Sequence, residues 1–183
     1  YILAIINTNK PRKLVESKYN ERFAECMQAK EKLQQKLNIN HLCEVSIEDF
    51  IRNRHLINNP VIENRALHVI SEDERVKKAK GALLSGDIKT FGELMYSSHE
   101  SLQNLYEVSG KELDTIVGFC KTYKDCIGAR MTGAGFGGCA IALIKKDSFD
   151  DFKEKVTSYY EQKIGYKPGV FSSIIAEGVR AIA

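Results

Sequence analysis

The chain has 183 residues, 43% of them hydrophobic and 28% charged, with 27 Lys and Arg against 24 Asp and Glu for a net charge of +3. That balance describes an ordinary folded domain with room for a sizeable core; it excludes a disordered chain, and the lack of any apolar run of about 18 residues excludes a membrane-spanning helix. The basic residues are spread along amphipathic segments rather than gathered in a patch, so nucleic acid is not an expected partner, and three prolines with no Ser- or Pro-rich stretch leave no evident linker.

One compact unit is therefore expected. Five cysteines, at 26, 43, 120, 126 and 139, are an odd number without CxxC spacing, which argues against a disulfide framework or zinc ribbon and for a reducing cytoplasm. The chain opens inside an apolar run, Tyr1-Ile-Leu-Ala-Ile-Ile6, without an initiator methionine or the charged start of a signal peptide, as a piece of a longer protein would.

The opening run predicts a buried strand over residues 1–8 that emerges into the polar turn Asn7-Thr8-Asn9 and Pro11. A long helix follows, capped by Ser17, with Tyr19, Phe23, Cys26, Leu33 and Leu37 on its inner face and Lys30 as the interruption. Residues 46–57 read as a short helix closed by Asn58-Asn59-Pro60. From Ile62 the positions Ala66, Val69, Val76, Ala79 and Leu83 mark a second long helix, stopped by Gly86. Asp87 starts the next, with Phe91, Leu94, Met95, Ser98, Leu102 and Leu105 inward, and the short connection forces these two helices to lie antiparallel. Ser109-Gly-Lys-Glu112 is a capping-box pattern opening a helix with Leu113, Ile116, Val117 and Cys120 buried.

The pattern then turns to β. Residues 126–132 and 138–144 are strand-like runs, residues 148–164 form a helix with Phe149, Phe152, Val156, Tyr159 and Ile164 on one side, and residues 169–176 read as a last strand. Strands interleaved with helices give an α+β fold, most simply an antiparallel β-sheet covered by helices on one face with an added helical pair.

The stretch joining the two middle strands concentrates glycine at 133, 135, 137 and 138, four of the thirteen in the chain. Glycine permits positive φ and removes side-chain bulk, so backbone N–H groups can converge on one anionic point, as in a phosphate cradle. A glycine-bulged hairpin turn is the plainer alternative. Positions 133, 135 and 138 also fit G-x-G-x-x-G, but a strand follows where a dinucleotide site needs a helix. A protein-kinase reading of Ile141-Ala-Leu-Ile-Lys145 fails because no H-R-D or D-F-G segment follows.

Met131-Thr-Gly-Ala-Gly-Phe-Gly-Gly-Cys139 resembles the third conserved motif of the GHMP small-molecule kinases, in the form found in galactokinases. Asn7-Thr-Asn9 with Glu16-Ser-Lys-Tyr-Asn-Glu-Arg22 and Cys26 is similar to the segment after the family's central strand, which includes a tyrosine that contacts the sugar. Ser98-His-Glu-Ser-Leu102, Tyr106-Glu-Val-Ser109 and Glu112-Leu-Asp114 resemble its helical region, so the similarity runs from Tyr1 to about Ala176.

The resemblance implies that residues 1–183 are the ferredoxin-like C-terminal domain of such an enzyme, and that ATP and galactose are its substrates, with Mg²⁺ between the phosphates. The sugar-reading N-terminal motif, the Ser-rich phosphate loop with the magnesium ligands, and the catalytic aspartate would all belong to an N-terminal domain of the same polypeptide, leaving no catalytic residue in this chain. Tyr19 would contact the sugar, and Gly133, Gly135, Gly137 and Gly138 would close the nucleotide-phosphate site, where a side chain at Gly135 would block ATP. Each has a blander counterpart: Tyr19 as a core residue of its helix, the glycines as a strained turn. Lys10 and Arg12 near the first strand read more simply as solvated charges, and His99 as a structural histidine. A kinase of another sugar and a non-catalytic sugar- and nucleotide-binding regulator remain alternatives at this point.

Overall fold

The structure, a computed structural model, describes residues 1–11 and 15–173. Arg12, the side chain of Ser17 and the 174–176 end of the expected last strand lie outside the described residues.

The frame is a four-stranded antiparallel sheet of β1 (Ile2–Asn7), β2 (Cys126–Thr132), β3 (Cys139–Ile144) and β4 (Gly169–Ser173) in the order β2-β3-β1-β4. The first strand is thus interior, with Ile5 paired to Ile141 on one side and Phe171 on the other. β2 and β3 form a hairpin whose last pair is Thr132 and Cys139, so residues 133–138 are the whole connection.

Alternation along the strands sends one set of side chains into a core beneath α5 (Lys111–Thr122) and α6 (Phe149–Ile164). The sheet's contribution is mostly small, with Ala4, Ala129, Ala140 and Ala142 all fully buried, which lets the helices approach closely. They supply the bulk: Leu113, Ile116, Val117 and Cys120 from α5, as expected, and Phe152, Val156 and Tyr160 from α6. Each large side chain of this set contributes roughly 1.5–3 kcal/mol by leaving water. On α6 the periodicity chose the wrong tyrosine. Tyr159 is exposed, whereas Tyr160 is fully buried and keeps its hydroxyl satisfied by donating to the Thr8 carbonyl at 2.8 Å.

The other helices build a second core. α1 (Val15–Leu33), α2 (Ile47–Asn53) and α3 (Pro60–Leu84) enclose Ala29, Leu33, Phe50, Ile57, Ala66 and Ile70. Several expectations are corrected here. α1 starts at Val15, which puts Ser17 inside its first turn instead of at its cap, and Tyr19 and Phe23 are exposed at 58% and 59%. The inward stripe is Arg22, Ala29 and Leu33, an arginine occupying a place that hydropathy would give to an apolar residue. Asn58-Asn59-Pro60 opens α3 rather than closing α2: the Asn59 side chain accepts from the amides of Val61 and Ile62, and Pro60 takes the first turn, where its missing N–H costs nothing. On α3, Val76 and Leu83 are exposed, while Arg65, His68 and Ile70 are buried.

Gly86 (φ +72) ends α3 with the Asp87 amide bonded to Ala82 O, and the Asp87 side chain then caps α4 (Ile88–Ser101) by accepting from Thr90 N. Met95, Ser98 and Leu102 are buried as expected, with Phe91, Leu94 and Leu105 half-buried. α4 does not share the α5–α6 face. Its Gly92 backbone lies against Gly128, neighbour of the core residue Ala129, so α4 covers the opposite face at the β2 edge and the sheet has helices on both sides. α4 leaves the α-helical path in a π-helical turn, Leu102–Tyr106, ending at Glu107 with φ +55. The expected capping box at Ser109 and Glu112 is not formed. Gly110 is the N-cap, and the Glu112 carboxylate pairs with Lys10 Nζ at 2.9 Å instead.

Candidate functional site

The β2–β3 connection is held in a backbone conformation that glycine alone adopts freely. Gly133, Gly135, Gly137 and Gly138 all have positive φ, from +78 to +128, and Phe136 joins them at +57. A two-residue hairpin turn needs far less. The loop encloses a concavity of about 280 Å³ lined by residues 132–139, so its wall is largely main chain.

The four glycines have different reasons to be glycine. A Cβ at Gly135 would sit 2.1 Å from Val108 O, and one at Gly137 would press on the Lys10 stem at 3.1 Å. These two let the loop lie on its neighbours. A Cβ at Gly133 or Gly138 would meet nothing within 4 Å, so these two keep an open surface clear of side chains.

The loop is fastened on three sides. Phe136 N donates to Val108 O at 2.6 Å, and Thr8 N, at the end of β1, donates to Gly138 O at 2.8 Å. On the third side, His99 accepts from Met131 N through Nδ1, which directs its protonated Nε2 to the Asp114 carboxylate at 3.2 Å. His99 is 2% exposed, the structural role expected for it. Lys10 lies beside the loop with its ammonium on Glu112; it is a partly buried ion-pair member and not the solvated charge that its sequence context suggests.

Tyr19 projects from α1 into solvent, and its exposure disposes of the core reading. It stands near Tyr106: burial and the Cys26 thiol are the larger causes that push the Tyr106 phenol up, and the nearby Tyr19 adds to them. Tyr106 contacts Cys26 Sγ at 3.6 Å and stacks on His68 at 4.5 Å. The Tyr106 carbonyl accepts from Arg22 Nε at 2.7 Å, only two residues before the carbonyl that supports Phe136. The helix of Tyr19 and the glycine loop therefore meet at one short segment. Sequence reasoning missed the burial of Arg22 and Arg65 and the support role of Val108; the similarities at Glu16-Ser-Lys-Tyr-Asn-Glu-Arg22 and Tyr106-Glu-Val-Ser109 were the signals near them.

An anionic phosphate fits a main-chain concavity of this kind. Magnesium takes carboxylate and phosphate oxygens, and among the described residues no group of three or more His, Cys, Asp or Glu side chains is arranged to hold a metal ion.

The family model described as "GHMP kinases C terminal" matches residues 79–162. Along 182 residues the chain is 52% identical to the galactokinase of Clostridium tetani and 47% identical to that of Staphylococcus carnosus, covering 100% of this chain but 46% and 47% of theirs. The chain thus spans about half the length of the curated relatives it matches. A crystal structure of Lactococcus lactis galactokinase complexed with galactose superposes with a TM-score of 0.92 at 46% identity, covering 94% of this chain and 44% of that one. An L. major mevalonate kinase shares the fold alone, with a TM-score of 0.54 at 23% identity over 93% of this chain and 41% of that one. No helix among the described residues is long and apolar enough to cross a membrane. Motif, sheet topology and similarity along the whole of this chain agree: residues 79–162 match the C-terminal domain of the GHMP kinases, and the chain is similar throughout to part of the galactokinases.

Proposed function

We propose that this chain is the C-terminal part of a galactokinase, which transfers the γ-phosphoryl group of ATP to the C1 hydroxyl of galactose. The observation that carries the reading is the open, side-chain-free surface at Gly133 and Gly138 within a loop fixed at positive φ. Phosphoryl transfer depends mainly on positioning and on neutralising phosphate charge, so a preformed cradle is a direct contribution to it. The Tyr19 phenol, exposed and able to donate and accept, is suited to a sugar hydroxyl. The chemistry that magnesium would supply when bound is neutralisation of phosphate charge. The magnesium ligands, the catalytic aspartate and most of the sugar contacts belong in this reading to an N-terminal domain of the same polypeptide. The five free thiols fit a reducing cytoplasm.

The test is a coupled ADP-release assay on the complete protein and on residues 1–183 alone. The complete protein is expected to turn over galactose and the 183-residue chain is not. Galactose-dependent turnover by this chain alone at about 1 per second or faster would overturn the division of labour.

A further inference from the structure

Arg65 is 2% exposed, and its guanidinium serves three acceptors at once: Nε donates to Glu25 at 3.0 Å, Nη1 to the Leu105 carbonyl at 2.5 Å, and Nη2 to Glu107 at 2.7 Å. Arg22, 6% exposed, donates to the same Glu25 oxygen at 2.9 Å and to the Tyr106 carbonyl. Two buried arginines thus share one carboxylate and grip two successive carbonyls where the π-helical turn would leave them without partners. The next residue, Glu107, is a non-glycine residue at φ +55 and is tied by its side chain to the same cluster. Val108 follows, and on its carbonyl rests the glycine loop.

Solubility needs no such arrangement, and a helix end could be closed by a single glycine. Resting on the galactokinase reading above, we infer that Arg65, with Arg22, Glu25 and Glu107, is a positioning cluster that fixes residues 105–108 as a common joint, holding the Tyr19 helix and the glycine loop at one relative placement so that bound sugar and nucleotide phosphate meet in line. None of the four touches substrate. They act through Tyr106 and Val108, and Arg65 does so with a planar fork that a lysine cannot reproduce.

The test uses the complete enzyme with Arg65→Lys and Glu107→Gln. The Glu107 side chain is 61% exposed, so the second variant folds even where the first is strained. Turnover, melting temperature, and separate calorimetric affinities for galactose alone and a non-hydrolysable ATP analogue alone are measured. A joint that sets relative placement predicts that kcat per folded enzyme falls about tenfold or more in Arg65→Lys and about threefold in Glu107→Gln, with each single-ligand affinity held within about twofold. Unchanged kcat in both variants overturns the proposal, as does a kcat loss matched by a loss of one ligand's affinity, which would make the cluster part of a single subsite. Tyr19→Phe and Gly133→Ala serve as references. If they weaken galactose and analogue binding while the cluster variants keep full kcat, only the positioning role falls; if they change neither affinity, the functional reading falls and this proposal with it.

Discussion

The amide of Phe136, itself at φ +57, donates to the carbonyl of Val108 at 2.6 Å, and Gly135 packs against that same carbonyl. The glycine loop is therefore seated on another part of the chain, which separates glycines required by the seat from glycines required by whatever the loop holds.

Gly135→Ala would drive a Cβ to 2.1 Å from Val108 O, a backbone atom that cannot yield, at a φ of +82. Overpacking and backbone strain together should cost roughly 2–4 kcal/mol, seen as a large fall in melting temperature. The sequence alone points to ATP as the partner a side chain at Gly135 would block, but the structure places Val108 there first. Gly133→Ala is the informative change. It faces open space, so it should lose only about 1–2 kcal/mol through its φ while raising the KM for ATP in the complete enzyme. An unaltered ATP KM in folded Gly133→Ala would remove the loop from the phosphate site.

Tyr19→Phe should leave the melting temperature unchanged, because the side chain is exposed, and weaken galactose binding by about 0.5–1.5 kcal/mol for one lost hydrogen bond. Calorimetry on the complete enzyme gives both quantities; equal galactose affinity would count against the sugar contact.

These two sites mark where sequence reading succeeds and where it stops. Leu113, Ile116, Val117 and Cys120 were legible because an apolar stripe facing an apolar sheet obeys helical periodicity. The hairpin was legible because strand patterns flank a glycine run. The face of α1 was not, since its stripe runs through Arg22, whose burial depends on Glu25 beside it and on a carbonyl from residue 106. Hydropathy cannot see a charge whose partners arrive from elsewhere in the chain. The same holds for Tyr160, buried because Thr8 O waits for its hydroxyl, and for Glu112, drawn from its capping role by Lys10.

His68 is buried against Tyr106, with Nδ1 at 2.8 Å from Ser101 Oγ, and burial pushes its pKa down from 6.5 to about 4. Between those values the unfolded chain binds the proton and the folded one resists it. Stability is therefore intact above about pH 6.5 and lost as pH falls toward 4, by up to about 3 kcal/mol. Melting curves from pH 7 to 4 should show this slope, and His68→Gln should flatten it relative to wild type. An identical slope in both proteins would assign the acid sensitivity to other groups.

Two glycine-to-alanine changes should act with opposite signs. At Gly92 a Cβ would come within 2.0 Å of Ile127 O, where α4 crosses β2, and the variant should lose roughly 2 kcal/mol or more. Gly81, inside α3 with nothing within 4 Å, should gain about 0.5–1 kcal/mol as alanine through better helix propensity. Chemical denaturation of the two variants checks both. A neutral Gly92→Ala would mean that α4 can lift off the sheet without penalty.

The interior position of β1 sets a timetable for the growing chain. Ile2–Asn7 leaves the ribosome before the other three strands, yet its partners are Cys139–Ile144 and Gly169–Ser173. At usual translation speeds it must wait roughly 10–30 s for the second of them. Until Cys139–Ile144 emerges this isoleucine-rich strand has both edges bare, one edge stays bare until Gly169–Ser173 follows, and the helices made meanwhile lack the complete sheet they are to cover. Closure comes only when the last strand arrives, so nascent chains stalled before residue 169 should be the ones that need a chaperone's cover.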